Sequence, residues 1–186
     1  MDIRTELIEF VREKSYQEGE FILVSGKKSP FYIDLKTTTL HPKGALLVGD
    51  AIVEKVKNLG LSFEAVGGLT LGADPIATAV SLAAFKNQKT WPALIVRKEP
   101  KGHGLELYVE GMANLPNQSC DVLVLEDVTT TGKSSLLAVE RFRKAGLNPV
   151  AVLTIVDREQ GGAQSIADAG LPLHSLMTLK EIQLFK

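Results

Sequence analysis

Apolar residues recur along this chain with two different spacings, and the spacing changes from segment to segment. Ile3, Leu7, Phe10 and Val11 fall on one face of a 3.6-residue period, which predicts an N-terminal helix packed on the rest of the molecule. Phe21 to Val24 and Phe31 to Leu35 are short apolar runs on either side of "SGKKSP", a Gly/Pro turn between two strands. From there the alternation becomes regular: a helix from Pro42 to Leu59, a strand at Ala65 to Gly68, a helix from Asp74 to Phe85, and a strand at Ala93 to Val96. After a polar stretch come a strand at Val122 to Leu125, a helix from Thr131 to Ala145 closed by Gly146, and a strand at Val150 to Val156. Units of this kind lay their strands in parallel and cover both faces with helices, so the expected fold class is a doubly wound α/β sheet. No repeat, low-complexity tract or linker-like change of composition interrupts residues 1–186, which read as one domain.

That architecture says where a ligand belongs, because open parallel sheets bind beyond the carboxyl ends of their strands. Four segments stand at such ends: "GGLTLGAD", "RKEPKGHG", "EDVTTTGKS" and "DREQGG". All four are expected to face one crevice.

Composition narrows the partners. Lys plus Arg number 21 against 22 Asp plus Glu, so there is no global basic field to gather nucleic acid or a membrane surface, and any anion site must be local. The start, "MDIRTELIEF", lacks the apolar core of a signal peptide, and the longest apolar run, Val150 to Val156, falls far short of the ~18 residues of a membrane helix. A cytoplasmic protein is expected. Cys120 is the only cysteine, which excludes an internal disulfide and a cysteine-rich metal site.

The third segment carries the chemistry. A P-loop needs a glycine five positions before Gly-Lys-Ser, where this chain has Asp127, so a nucleotide triphosphatase is disfavoured. Thr129, Thr130, Thr131, Gly132 and Ser134 offer hydroxyls and free amides at a helix N-terminus, a setting for one small phosphate. Glu126 and Asp127 repel phosphate, so their targets are hydroxyls or a divalent cation beside it. A sugar bearing a phosphate and free hydroxyls satisfies every group. The alternative is an ordinary helix start, with Thr129 to Thr131 as caps and the acids as solvated turn residues.

"VLVLEDVTTTGKS" resembles the phosphoribosyl-diphosphate signature of type I phosphoribosyltransferases. "FILVSGKKSPFYIDLK", "VGGLTLGADPIATA", "RKEPKGHG" and "VDRE" resemble, in order and across the whole chain, segments of the bacterial orotate phosphoribosyltransferases. The resemblance implies a parallel α/β core with a small hood from the chain ends, about residues 1–40 and 172–186. It implies transfer of a phosphoribosyl group to orotate with release of pyrophosphate, giving orotidine 5′-monophosphate in de novo pyrimidine synthesis, with Mg²⁺ bound mainly through substrate rather than by direct protein ligands. It implies a homodimer whose cationic loop reaches the neighbouring subunit's site. The donor residues it implies are Arg97, Lys98, Lys101, His103, Glu126, Asp127, Val128, Thr129, Thr130, Thr131, Gly132, Lys133 and Ser134. Lys101, His103 and Asp127 are the catalytic candidates, and Thr130 and Arg158 the orotate contacts.

The residues themselves fit this reading. Arg97, Lys98, Lys101 and His103 lie within seven residues, with Gly102 and Gly104 keeping the stretch pliable. Such a loop can close on a departing pyrophosphate, although a plain solvated loop has the same composition. Orotate carries a carboxylate, which Arg158 can grip with a forked guanidinium, unless Arg158 pairs instead with Asp157 or Glu159. Some family members carry a lysine where this chain has Val24 and another in the loop that here reads "GLTLGAD", so neither contact carries over, and Lys27, Lys28 and Lys36 nearby have no assigned role. That loop also reads as a plain strand-to-helix turn, with Asp74 as N-cap and Pro75 at the first helical position. Three alternatives stay open: a purine phosphoribosyltransferase, a non-catalytic phosphoribosyl-diphosphate sensor, and the first half of a uridine-monophosphate synthase, disfavoured because the chain stops at Lys186.

Overall fold

The structure, a computed structural model, describes residues 2–22, 26, 28–100, 108–117 and 119–185. Its centre is a six-stranded sheet made of β3 (Ala65–Leu69), β4 (Ala93–Val96), β5 (Val109–Glu110), β6 (Asp121–Thr129), β7 (Asn148–Asp157) and β8 (Leu173–Thr178), in the order β5-β4-β3-β6-β7-β8. All neighbours pair in parallel except β5, which runs antiparallel to β4 at one edge. The chain builds outward from β3 in one direction, then returns to lay β6 on the other side of β3 and builds outward again. The reversal between β3 and β6 is the topological switch point, where the crevice of such a sheet opens.

The period-2 pattern of the strands divides their side chains between two cores. Leu123 and Leu125 of β6 and Ala151, Leu153 and Ile155 of β7 pack with α1 (Ile3–Ser15), α3 (Pro42–Leu59) and α4 (Ala73–Lys86) on one face. Val122 and Val124 of β6 and Val152 of β7 pack with Ala138, Val139 and Phe142 of α5 (Lys133–Lys144) and Ile166 of α6 (Gly162–Asp168) on the other. Each fully buried aliphatic side chain is worth about 1.5–3 kcal/mol against exposure. The exposed ion pairs, such as Lys144 with Glu140, are worth about 0–1 kcal/mol each, so apolar burial on both faces holds the sheet.

β1 (Tyr16–Ile22) and β2 (Lys28–Ile33) form a separate antiparallel hairpin, bulged between Glu18 and Phe21. It begins five residues earlier than the apolar run at Phe21 indicates, because Gln17 to Glu20 are exposed and carry no burial signal. Val24 and Lys27 lie outside the described residues. Leu35, expected at the end of a strand, instead starts the short α2 (Lys36–Thr39) and is buried, while Ser15 Oγ and Thr38 Oγ1 are hydrogen-bonded at 2.6 Å. The C-terminal stretch assigned to the hood divides: β8 completes the large sheet, and α7 (Leu179–Leu184) packs beside α1, capped by Thr178. No described helix is long and apolar enough to cross a membrane.

Two strand glycines let the switch point close. A Cβ on Gly68 would lie 2.1 Å from the Leu125 carbonyl oxygen, and one on Gly67 would lie 2.3 Å from that of Leu94. Backbone is what each would strike, so no rotamer change relieves it. Gly68→Val is therefore expected to cost about 2–3 kcal/mol and to lower the melting temperature by roughly 5–10 °C. A thermal melt matching the unsubstituted protein would show that β3 and β6 do not approach this closely.

Candidate active site

β6 does not end at Leu125 as the apolar run predicts. It continues through Glu126, Asp127, Val128 and Thr129, with Val128 opposite Val156 and Thr129 opposite Asp157 of β7. Continued pleating sends the two acids to opposite faces. Glu126 turns toward α5, where it is 6% exposed and its Oε2 accepts the Ser135 hydroxyl at 3.0 Å. Asp127 turns toward the start of α4, where a Cβ on Gly72 would come within 3.0 Å of its carboxylate. Gly72 is thus the residue that lets the loop after β3 lie against Asp127. One Asp127 oxygen, Oδ1, accepts the Val128 N–H at 2.7 Å.

Beyond Thr129 the chain forms a cradle. Helix α5 starts at Lys133 rather than Thr131, with Gly132 as its N-cap at φ +79° and no side-chain cap. The reading of Thr129 to Thr131 as helix caps is overturned: the left-handed turn at Gly132 holds the threonines off the helix axis, and the first amides of α5 have no side-chain acceptor. Glu126, Val128, Thr129, Thr130, Thr131, Gly132, Lys133, Ser134 and Ser135 line a hollow of 110 Å³. At roughly 30 Å³ per water this holds a group of about four oxygens, the size of one phosphate. Gly162, at the start of α6, backs the hollow; a Cβ there would lie 2.4 Å from Thr129 Cγ2.

Sharing Glu126 and Ser134 with this hollow is a second one of 260 Å³ at the switch point, lined also by Lys36, Lys98, Asp127 and the loop Leu69, Thr70, Leu71 and Gly72. In that loop the Thr70–Leu71 peptide is cis. Asp74 is not the N-cap of α4: the helix begins at Ala73, and Asp74 Oδ2 accepts the Thr70 hydroxyl at 2.7 Å, bracing the loop from within the first turn.

The remaining predicted residues are spread around this centre. Arg97 pairs with Glu110 across β4 and β5 at 3.1 Å and does not line either hollow, whereas Lys98 does. Lys101 and His103 lie outside the described residues. Arg158, one residue past β7, donates its backbone N–H to the Thr129 carbonyl at 2.9 Å, and its guanidinium lies over the Phe31 ring at 5.2 Å. It pairs with neither Asp157 nor Glu159 among the described residues: Asp157 Oδ1 takes the Glu159 amide at 2.8 Å instead. Its Nε is buried with no hydrogen-bond partner among the described residues, and burial alone lowers its pKa. Sequence reasoning misses Phe31, Lys36, Gly72 and Ser135. Phe31 and Lys36 stand within "SPFYIDLK", but only the packing of the hairpin and α2 over the sheet brings them to the crevice.

No protein-family model matches the chain. An orotate phosphoribosyltransferase of a Nostoc species is 45% identical over 181 residues, covering 97% of this chain and 85% of the relative. The chain belongs to the orotate phosphoribosyltransferase family. A solved orotate phosphoribosyltransferase from Mycobacterium tuberculosis superposes with a TM-score of 0.85 at 38% identity, covering 98% of this chain and all of the other. The same enzyme in complex with 5-phospho-α-D-ribosyl 1-diphosphate superposes with a TM-score of 0.81 at 36% identity, again covering 98% and 100%. The fold is that of the type I phosphoribosyltransferases. The activity is pentosyl transfer to orotate in pyrimidine biosynthesis, in preference to the purine and non-catalytic alternatives.

The buried acid gives this site a pH signature. Burial, reinforced by the negative charge of Asp127, raises the Glu126 carboxyl from 4.5 to about 8, against the opposing Ser135 hydrogen bond. A carboxyl whose pKa is higher folded than unfolded stabilises the fold below its unfolded value, and this contribution is lost as pH rises toward its folded value. Stability of the ligand-free protein is thus expected to fall between pH 4.5 and about 8 through this group. Glu126→Gln should flatten that slope and be at least as stable as the unsubstituted protein at the upper end; parallel melting curves across the range would contradict the assignment.

Proposed function

We propose that this orotate phosphoribosyl transfer takes place with the donor's 5-phosphate in the 110 Å³ cradle and its ribose over the two acids. The observation that carries the reading is the junction of the two hollows at Glu126 and Ser134, at the switch point of the sheet. A phosphate at the α5 N-terminus meets free amides and the positive end of the helix dipole. From there the sugar runs past Glu126 and Asp127, and its diphosphate extends toward Lys98 and the backbone of residues 69–72. The complex of a relative with 5-phospho-α-D-ribosyl 1-diphosphate supports the same donor here.

In the reaction the anomeric carbon–oxygen bond breaks, pyrophosphate departs with the electron pair, and the deprotonated ring nitrogen of orotate forms the new carbon–nitrogen bond. Positive charge on the sugar grows in an oxocarbenium-like state, as in glycosyl transfer generally. Asp127 holds ribose hydroxyls and lends its negative charge to the sugar face; Glu126, propped by Ser135, orders the cradle and its first hydroxyl contact. Lys98, with Lys101 and His103, neutralises the leaving pyrophosphate, while Arg97 pairs with Glu110. Arg158 and Thr130 bind the acceptor, the guanidinium meeting the orotate carboxylate while Phe31 supports its plane.

Mg²⁺ suits this site as an ion carried by the substrate. Asp127 Oδ1 is committed to the Val128 N–H, and the hard oxygens of the diphosphate and ribose supply the main ligands. When bound it supplies charge neutralisation on the pyrophosphate.

A homodimer is supported by an apolar face formed by α4, the loop before it and the start of α3. Leu71, Leu82 and Phe85 are 72%, 63% and 72% exposed beside adjoining grooves of 600 and 380 Å³. Exposure of this extent on a soluble enzyme is characteristic of an interface. The absence of a membrane-crossing helix among the described residues is consistent with a cytoplasmic enzyme.

The direct assay is pyrophosphate release with Mg²⁺ and phosphoribosyl diphosphate, with orotate, uracil, adenine or hypoxanthine plus guanine offered separately. Release with orotate alone is expected; release with a purine would discard the Arg158 site. Arg158→Ala should raise the KM for orotate at least about tenfold with little change in that for the donor, the effect of losing a charged hydrogen bond. Lys101→Ala should lower kcat by about 10²–10³, the scale of one preorganised charge-stabilising group, and a change below about threefold would remove Lys101 from the mechanism. Leu82→Glu with Phe85→Glu should convert the dimer to monomer in sedimentation, whereas an unchanged dimer would move the interface elsewhere.

A further inference from the structure

We infer that Lys36 is a pyrophosphate-binding residue of this enzyme, clamping the leaving group from the hairpin side of the crevice opposite Lys98. The inference rests on the donor placement proposed above. The 260 Å³ hollow is lined by two carboxylates, Glu126 and Asp127, and among the described residues by two cations, Lys36 and Lys98. A diphosphate entering there brings its own negative charge beside Asp127, and needs cations to offset it. Lys98 comes from the end of β4. Lys36 comes from the other side, at the first position of α2.

Its root is fixed and its tip is free to move. Leu35 beside it is 1% exposed, and Thr38 and Thr39 one turn on are buried, so the backbone of α2 is anchored. The Lys36 side chain is 48% exposed, and its Nζ rests on Asp34 Oδ1 at 2.6 Å. A half-exposed pair of this kind contributes little and exchanges readily for a more highly charged partner. The negative charge of Asp127 also acts on Lys36, helping Asp34 to raise its pKa, so the side chain is a full cation at neutral pH and lies within the field of the reacting centre. Lysine suits the task because its ammonium is a compact point charge with three donors on a flexible stem.

Calorimetric titration with Mg²⁺-pyrophosphate, and separately with ribose 5-phosphate as a probe of the cradle alone, tests the assignment in the full-length protein. Lys36→Met should weaken pyrophosphate binding by about 10- to 100-fold, the scale of one charged hydrogen bond, while leaving ribose 5-phosphate within about twofold. Lys36→Arg should keep most of the pyrophosphate affinity. Asp34→Asn removes the competing partner and should leave pyrophosphate binding equal or tighter. Equal binding by Lys36→Met and the unsubstituted enzyme would overturn the inference. So would an Asp34→Asn loss matching that of Lys36→Met, which would make the pair structural, or a parallel loss of ribose 5-phosphate. An unsubstituted protein that binds neither probe and releases no pyrophosphate with orotate would instead overturn the donor placement itself.

Discussion

The close parallel pairing of β3 with β6 is the constraint on which the rest of this molecule depends. Val66 and Gly67 lie opposite Leu123 and Val124, and Gly68, lacking a side chain, lets the β3 backbone approach the Leu125 carbonyl. That contact brings the loop after β3 beside the end of β6. The chain departs in opposite directions on either side of this pair, so the helices that follow leave a crevice between them rather than closing over it. Every feature of the site, from the acids to the phosphate cradle and the loop at residues 69–72, is reached from those two strand ends.

From this pairing follows the division of labour between two adjacent acids. Because β6 stays pleated to Thr129, Glu126 and Asp127 are one residue apart in sequence yet serve opposite faces. Glu126 enters the α5 side, where burial favours its protonated form and a serine hydroxyl holds it. Asp127 faces the partly open hollow beside Gly72. Both still border the 260 Å³ hollow, and the negative charge of Asp127 adds to burial in raising the Glu126 pKa. The pleat thus gives one carboxyl held by Ser135 and one set against Gly72.

Around this rigid centre, the cationic and aromatic groups arrive on separate peripheral elements. Arg158 is held at its backbone by Thr129 and at its guanidinium by Phe31 of the hairpin, so its position depends on β6 and β2 together. Lys36 arrives from α2 and Lys98 from the end of β4. The division has a physical logic: groups on central strands are fixed where packing is densest, and long side chains at the rim keep freedom to move.

The amino-acid sequence by itself determined the elements with strong periodicity and the chemistry at their ends. The helix Pro42–Leu59 and the strand Ala93–Val96 have the bounds their patterns indicate, because a buried face writes itself as apolar spacing. The hydroxyl-rich turn from Thr129 to Ser134 was legible as a unit because its residues follow one another along the chain, and all six line one small hollow. Elements stabilised by backbone pairing without much burial were not legible: the polar half of β1 and the edge strand β8 carry weak apolar patterns. Nor could spacing along the chain reveal that β6 runs on through its acids, since two carboxylates after an apolar run look like a loop until a neighbouring strand pairs with them. Tertiary structure alone decided which face each acid serves, that Asp74 braces Thr70 rather than capping a helix, and that Lys36 meets Lys98 around one hollow and Phe31 meets Arg158, across separations of 62 and 127 residues. Local composition names the chemistry a segment can perform, whereas only the packing of strands and helices fixes which distant side chains share one small volume of space.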